Sequence, residues 1–422
     1  MRILIVGLNF QPELTGIGKY TGEMAAYLSK VGHRVRVITT PPYYPYWKVQ
    51  PGYRWWGYRH ESWSGVEVFR CPLWVPRNPS GIKRIIHLLS FTLSSMPLLL
   101  AQIFWGAQIV LCVAPSLLSA PFALLTARLC HASAWLHIQD FELDAATQLG
   151  MLASTGSLAR LAPHAERWLL QAFDRVSTIS QHMLRCLEQK GVRPERTCLF
   201  PNWVDTTEIF PLPHLPQSLR KDLGIPEHKT IVLYSGNMGN KQGLEILVEA
   251  ARGLTTNEDI HFVLCGEGSA RAGLGRTADG LRNVKFLPLQ PPEKLNELLN
   301  LADIHILPQR ADASDLVMPS KLLGMLASGK AVIATANPST EIGAVVSQTG
   351  VLIPAGNGSI LREVIVRLSE SPQRRTHLGQ KGRALVCQKW DKKQILADFE
   401  LQLRKIVSTN IPAQSSLNTN RF

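Results

Sequence analysis

Residues 3–7 read Ile-Leu-Ile-Val-Gly, an unbroken apolar run of the kind that forms a strand covered on both faces in a parallel sheet. After a glycine-bearing loop at 9–18 the apolar positions change period. Met24, Tyr27 and Leu28 share one side of a helix predicted over 20–30, and residues 33–39 return to a strand. Strand, helix and strand in this order require a parallel sheet and a right-handed crossover. The same pattern predicts strands at 109–113, 134–139, 175–179 and 197–200.

A second series follows a polar, proline-rich stretch at 210–226. Strands at 230–235, 261–265, 284–287, 304–307 and 331–334 alternate with helices at 244–252, 293–300, 321–328 and 358–369. Two such sets in tandem predict an α/β chain of two doubly wound domains facing one another across a cleft, with ligands at the carboxyl ends of the strands. The expected division is 1–205, 206–389, a C-terminal helix at 390–407 lying beyond the second sheet, and a polar tail at 408–422 that is expected to lack order.

The stretches 88–105 and 109–129 are apolar for nearly the length that crosses a bilayer. Pro97, Gly106, Pro115 and Pro121 interrupt them, and the first sheet needs 109–113 as a strand. Three readings stand: a spanning helix, a helix buried against the sheet, and a helix lying in the membrane interface. The third is preferred, because the membrane-facing candidates Lys83 and Arg84 precede the run.

Composition sharpens this. With 422 residues, 45% hydrophobic and 18% charged, the chain is neither disordered nor a polytopic membrane protein. Its 45 Lys+Arg against 32 Asp+Glu leave a net charge of +13, which favours an anionic partner. Residues 1–139 hold 13 of the basic residues and only four acids, with seven of the ten Trp and seven of the eight Tyr, and no Asp or Glu lies between Val68 and Gln139. Such a third suits an anionic membrane surface, where Trp and Tyr take the polar boundary and Lys and Arg meet phosphate. Single-stranded nucleic acid would be met by similar chemistry. The seven Cys form no CxxC and no Cys/His ligand spacing, which reads as reduced thiols in a cytosolic protein without a metal site. The first residues read as a strand rather than a signal peptide.

Three segments carry candidate chemistry. In Thr15-Gly16-Ile17-Gly18-Lys19-Tyr20, between the first strand and helix, the glycines let backbone approach a ligand and the helix N-terminus offers N–H groups to a phosphate. The spacing is not the dinucleotide fingerprint, and a tight turn would use the same residues. A second strand–loop–helix junction at 234–244 holds Asn237 and Lys241 among small residues. The third runs from Asp315 to Lys321, where Pro319 and Ser320 make a helix entry and Lys321 opposes the helix dipole, a placement that a bound anion offsets.

Gly16/Gly18, residues 176–181, Pro201-Asn202-Trp203-Val204-Asp205, Tyr234-Ser235-Gly236-Asn237, Leu264-Cys265-Gly266-Glu267-Gly268 and the run 326–334 occur in the order seen in family-4 glycosyltransferases of the GT-B fold. The chain resembles that family along nearly its whole length. Residues 15–24, 137–144 and Pro319-Ser320-Lys321 are similar to its colanic acid biosynthesis fucosyltransferase (WcaI-type) group. The resemblance implies transfer of a sugar, fucose from GDP-fucose, from a nucleotide diphosphate to a polyprenyl-diphosphate-linked oligosaccharide in exopolysaccharide biosynthesis. It further implies a retained anomeric configuration, no metal or other cofactor, no nucleic-acid partner, and a cytoplasmic enzyme peripherally bound to the inner face of the plasma membrane. Donor binding falls to Gly16, Gly18, Asn237, Lys241, Gly266, Glu267, Asp315, Ser320 and Lys321.

The chain departs from the family in places. The phosphate-binding Arg and Lys fall at Asn237 and Gln242, leaving Lys241 for charge, and the paired glutamates fall near Leu316 and Gly324. The family's His falls near Gln139, so His137 or Asp140 is the catalytic candidate beside the reacting carbon. Without a metal, negative charge on the leaving diphosphate must be met by lysines and helix N-termini, which Lys241, Lys321 and Ser320 supply. Asp140, with Glu142 and Asp144 behind it, either orients acceptor hydroxyls or belongs to a helix-terminal charge cluster. His137, inside a predicted strand, is either catalytic or buried. Two other readings remain: a nucleotide-sugar epimerase of the two-Rossmann kind, which needs no basic aromatic third, and a non-enzymatic nucleic-acid or scaffold protein.

Overall fold

The computed structural model describes residues 1–77, 80–141, 157–214, 216–239, 242–310 and 320–410, without the side chains of 157–161 and 410. The chain divides into two compact units, Met1–Pro201 together with the chain from Leu396 onward, and Asn202–Ile395.

In the first unit β1 (Arg2–Gly7), β2 (Arg34–Thr39), β3 (Arg59–Trp63), β4 (Val66–Arg70), β5 (Ile109–Ala114), β6 (Ser133–Ile138), β7 (Arg175–Thr178) and β8 (Thr197–Leu199) form one sheet, ordered β3-β4-β2-β1-β5-β6-β7-β8. Every neighbouring pair is parallel except β3 with β4. All residues of β5 and β6 are buried, as their unbroken apolar runs predict for strands covered on both faces. The strand order reverses between β1 and β5, and a crevice for ligands belongs at the carboxyl ends of that pair.

The β3–β4 hairpin has no counterpart in the hydrophobic pattern. β3 reads Arg-His-Glu-Ser-Trp and lies on the sheet edge with no buried residue, so nothing forces apolar alternation. Ser64 and Gly65 turn it with φ of 49° and 79°, the paired positive angles that match hairpin twist.

The second unit is one all-parallel sheet of β9 (Thr230–Ser235), β10 (Ile260–Cys265), β11 (Val284–Leu287), β12 (Ile304–Pro308), β13 (Ala331–Thr335) and β14 (Val351–Ile353). The order is β11-β10-β9-β12-β13-β14, so the reversal lies between β9 and β12. Successive β9 residues divide between two packing layers. Val232 and Tyr234 join Leu247 and Leu361, while Ile231 and Leu233 join Leu298 and Leu301.

Three sequence expectations are corrected. The first helix spans Gly16–Lys30, so Gly16 and Gly18 lie in its opening turn and not in a loop before it. The last helix, Lys392–Asn410, continues past 407, and from Leu396 it belongs to the first unit and not beyond the second sheet. Phe399 there stacks on Phe200 at 3.9 Å and meets Trp135 edge-on at 5.2 Å, while Glu400 Oε1 lies 2.8 Å from His33 Nε2. Helices Arg271–Thr277, Glu341–Thr349 and Pro372–Lys389 and the short strand β14 were not predicted. The seven cysteines form no disulfide.

Candidate active site

At the second sheet's point of reversal, β9 ends in Ser235 and the chain turns at Gly236, with φ of 144°. β10 ends in register with it, Cys265 opposite Ser235, and turns at Gly266 with φ of 147°. The two turns lie back to back. Met238 N donates to Glu267 O at 2.8 Å and Gly236 N to Cys265 O at 3.0 Å. A Cβ on Gly266 would overlap the Gly236 carbonyl oxygen, and one on Gly268 the Met238 carbonyl oxygen. These glycines therefore serve loop packing first, and leave Asn237 exposed at the edge.

The helix Ser320–Ala327 brings Lys321 to the same turn. Its Nζ donates to the Tyr234 hydroxyl at 3.3 Å and stands 5.1 Å from that ring's centre. The Tyr234 hydroxyl donates in turn to Asn237 O at 2.6 Å. Burial raises the phenol above its ordinary pKa, so it stays a neutral hydroxyl and adds no charge against the ammonium. A Cβ on Gly236 would stand in van der Waals contact with Lys321 Cδ, 3.4 Å away, so the lysine chain packs along this turn. Ser320 is exposed at the helix start. The Glu267 side chain points instead to Arg271, 3.7 Å away, in a largely solvated pair.

Across the reversal, β12 runs into Gln309 and Arg310. Arg310 lines two open depressions, one of about 380 Å³ shared with Gly243, Glu245, Glu249 and Thr335, the other of about 310 Å³ shared with Asn337, Pro338 and Pro354. Tyr234 and Arg310 were absent from the sequence-based candidates. Each had a signal: Tyr234 is the single tyrosine after Tyr58, and Arg310 is the first charge after the apolar run 304–307.

In the first unit the loop after β1 fills its own space. Glu13 is buried; its Oε1 accepts from Tyr43 N and Tyr44 N, both at 2.9 Å, and its Oε2 accepts from Asn9 Nδ2 at 2.9 Å. Burial raises its pKa, against these hydrogen bonds and the nearby Arg70 charge. A Cβ on Gly18 would lie 2.6 Å from Glu13 Oε2. Gly18 thus accommodates the buried Glu13 side chain, a packing role that its expected place at a donor did not include. Gly16 is exposed, with the Tyr44 ring 3.5 Å from where its Cβ would stand.

His137 is also corrected. It is wholly buried on β6, its Nδ1 is 2.9 Å from Ser177 Oγ, and its ring lies 4.9 Å from Phe200. Desolvation pushes its pKa down to about 3, so it is neutral at neutral pH and takes the buried place that was the alternative to a catalytic one. Asp140, just past β6, is exposed at the carboxyl edge of the sheet. Lys241, Asp315, Glu142 and Asp144 lie outside the described residues. Asn237, Gly266, Glu267, Ser320 and Lys321 thus share one edge of the second sheet, while Gly16, Gly18, His137 and Asp140 belong to the first. Among the described residues no group of three His, Cys, Asp or Glu is placed to hold a metal ion.

Two doubly wound units in tandem, the second with glycine turns, a lysine and a helix N-terminus at its point of reversal, have the GT-B architecture. Residues 15–203 match the glycosyl transferase 4-like domain family and residues 217–385 the glycosyl transferases group 1 family. The chain belongs to the family-4 glycosyltransferases and is a nucleotide-sugar-dependent enzyme. Over 351 residues, 81% of this chain and 85% of the relative, it is 45% identical to a protein of Escherichia coli (strain K12) named as the colanic acid biosynthesis glycosyl transferase WcaI. It is 27% identical, over 63% of this chain and 77% of the relative, to the GDP-mannose-dependent monoacylated alpha-(1-6)-phosphatidylinositol monomannoside mannosyltransferase of Corynebacterium glutamicum. Among solved structures, sucrose-phosphate synthase of Thermosynechococcus elongatus shares the fold with a TM-score of 0.75 at 17% identity, over 97% of this chain and 100% of that one. Anabaena Alr3699/HepE in complex with UDP and glucose does so at 0.67 and 17% identity, over 96% and 100%. The epimerase and non-enzymatic readings are set aside by the family assignment.

Proposed function

We propose that this glycosyltransferase moves fucose from GDP-fucose to a polyprenyl-diphosphate-linked oligosaccharide in the assembly of a colanic-acid-like exopolysaccharide, at the inner face of the plasma membrane. The observation that carries the reading is the 45% identity to the Escherichia coli relative across most of both chains. The Corynebacterium relative, named for a GDP-sugar donor and a lipid acceptor, supports the same donor base and acceptor class.

In this reading Ser320, Lys321 and the N–H groups of the helix they open hold the donor diphosphate. The bond between the sugar C1 and the phosphate oxygen breaks, and the acceptor oxygen bonds to C1 on the same face. The acceptor proton passes to the departing diphosphate, so the anomeric configuration is retained and no separate base is required. Lys321 meets the charge that grows on the leaving group, with the Tyr234 hydroxyl fixing the ammonium in place. Asp140 orients the acceptor hydroxyl. The Lys321 ammonium supplies the charge that a metal gives in other transferases, so the proposal includes metal-independent turnover.

The test is a screen of radiolabelled nucleotide sugars against a polyprenyl-diphosphate acceptor, with NMR of the product anomer and EDTA in a parallel arm. Label transfer from GDP-fucose with a product that keeps the donor's β configuration and an unchanged rate in EDTA is expected. Transfer from a UDP-sugar alone, an inverted anomer or loss of turnover in EDTA would each overturn the corresponding part.

A further inference from the structure

The helix Gly81–Ile103 is apolar on more than the side it buries. Ile82, Ile86, Leu89, Leu93, Leu100 and Phe104 recur in steps of four, three, four, seven and four, the spacing of a single helical face that here runs on to the residue just past the helix end. That face points away from the protein, with Ile82 75%, Leu93 65% and Phe104 95% exposed. The opposite face, which packs on the unit, buries Phe91 and Leu99 together with His87, Thr92, Ser95 and Gln102. Burial of apolar surface drives packing, so a helix that already buries Phe91 and Leu99 and still turns a second apolar stripe outward has a further apolar phase to meet.

The helix is held along its length. Near its start His87 Nδ1 lies 2.7 Å from Trp74 O and the His87 ring 4.9 Å from Tyr43. In its middle Ser94 O accepts from the Tyr58 hydroxyl at 2.9 Å, and near its end Gln102 accepts from Arg36 at 3.0 Å. Attachments at three points fix the long axis against the unit, so the helix presents its side and not its end.

The flanks match a bilayer boundary. The exposed Trp55 and Trp56, with the Arg54 guanidinium 5.2 Å over the Trp56 ring, precede Tyr58, whose hydroxyl bonds the middle of the helix. The helix Ala120–Leu129 packs on it, with Leu125 and Leu129 exposed. Lys83 and Arg84 stand in the first turn, and no acid occurs between Val68 and Gln139 to oppose them. Aromatic rings at the headgroup level, cations beside phosphate and an apolar stripe below are the parts of an in-plane anchor.

We infer that this face is seated in an anionic lipid surface, the helix Gly81–Ile103 lying in the bilayer plane with its outward stripe among the acyl chains. The inference rests on the membrane location proposed above and names the surface that makes the contact.

The test is flotation of the full chain with vesicles of phosphatidylcholine alone and of equal parts phosphatidylcholine and phosphatidylglycerol. Leu93→Gln with Phe104→Gln changes two exposed side chains, leaves the melting temperature in place, and should lower partitioning on the order of tenfold or more. Lys83→Gln should lower it roughly fivefold on the anionic vesicles and not on the neutral ones. If the parent does not float, this surface and the membrane location both fall. If parent and variants float alike, this surface alone falls and the membrane location stands. If the double variant turns a dimer into a monomer in light scattering with flotation unchanged, the stripe is a contact between copies and the inference is overturned.

Discussion

At the carboxyl edge of the first sheet the chain fills the space by its own glycine: the Glu13 carboxylate stands where a Gly18 Cβ would be, held by three donors. At the edge of the second sheet Gly266 and Gly268 let two turns pack carbonyl against backbone, and the chain of Lys321 lies beside Gly236. One sequence feature, glycine after a parallel strand, therefore serves two ends. A glycine whose missing Cβ faces a buried side chain or carbonyl supports the loop, and Gly236, with φ of 144°, turns the chain alongside the cation.

The largest effect should come from the second edge. Lys321→Ala should lower kcat/KM for the nucleotide sugar on the order of 10²-fold, the scale of removing one preorganised donor from a developing anion, with little change in melting temperature. Steady-state kinetics at limiting donor check this, and an unchanged kcat/KM would move the diphosphate away from Ser320 and Lys321. Gly266→Ala should instead cost stability, about 2 kcal/mol or more, because the new methyl overlaps the Gly236 carbonyl. Denaturant titration reads it, and a neutral result would mean that the two turns move apart freely.

In the first unit the pair to compare is Asp140 with His137. Asp140→Asn should lower turnover roughly tenfold through lost positioning and leave stability alone, whereas His137→Gln should spare kcat at neutral pH. A fall in kcat for His137→Gln at unchanged stability would restore it to the reaction.

The smallest and most diagnostic difference is in pH. Burial pushes His137 in the first unit and His305 in the second down to about 3. An unfolded histidine binds its proton below about 6.5. Between these values the unfolded chain holds more protons than the folded one, so stability is full above about pH 6.5 and declines as pH falls toward 3. Thermal melts at stepped pH should show that decline. His137→Gln and His305→Gln should each flatten it, and a slope untouched by both would assign acid lability elsewhere.

Much of this was legible because parallel strands must be apolar on both faces. The runs at 3–7, 109–113, 230–235 and 304–307 each became a buried strand. β3 was not legible, because an exposed edge strand needs no apolar alternation, and Pro372–Lys389 was hidden because it buries little beyond Gly379, Gly382 and Val386. At the candidate site, Lys321 could be read from its opposition to the helix dipole. Its tie to Tyr234 could not, since the two lie 87 positions apart and only the β9–β12 reversal brings them together. His137 misled because a histidine among apolar residues near a strand's end looks the same whether it faces a ligand or Ser177.

The helix Lys392–Asn410 carries a consequence for how the protein is made. Phe399 completes the aromatic packing over Phe200 and Trp135, and Glu400 meets His33. A ribosome emits the first sheet early, but the residues that cap it only after the whole second unit has been synthesised. Domains released from the N-terminus generally close in turn; here the first waits with an apolar face open through most of elongation. A nascent chain arrested before residue 396 should therefore be captured by chaperones and cut by proteases in its first unit, and released from both once the last helix emerges.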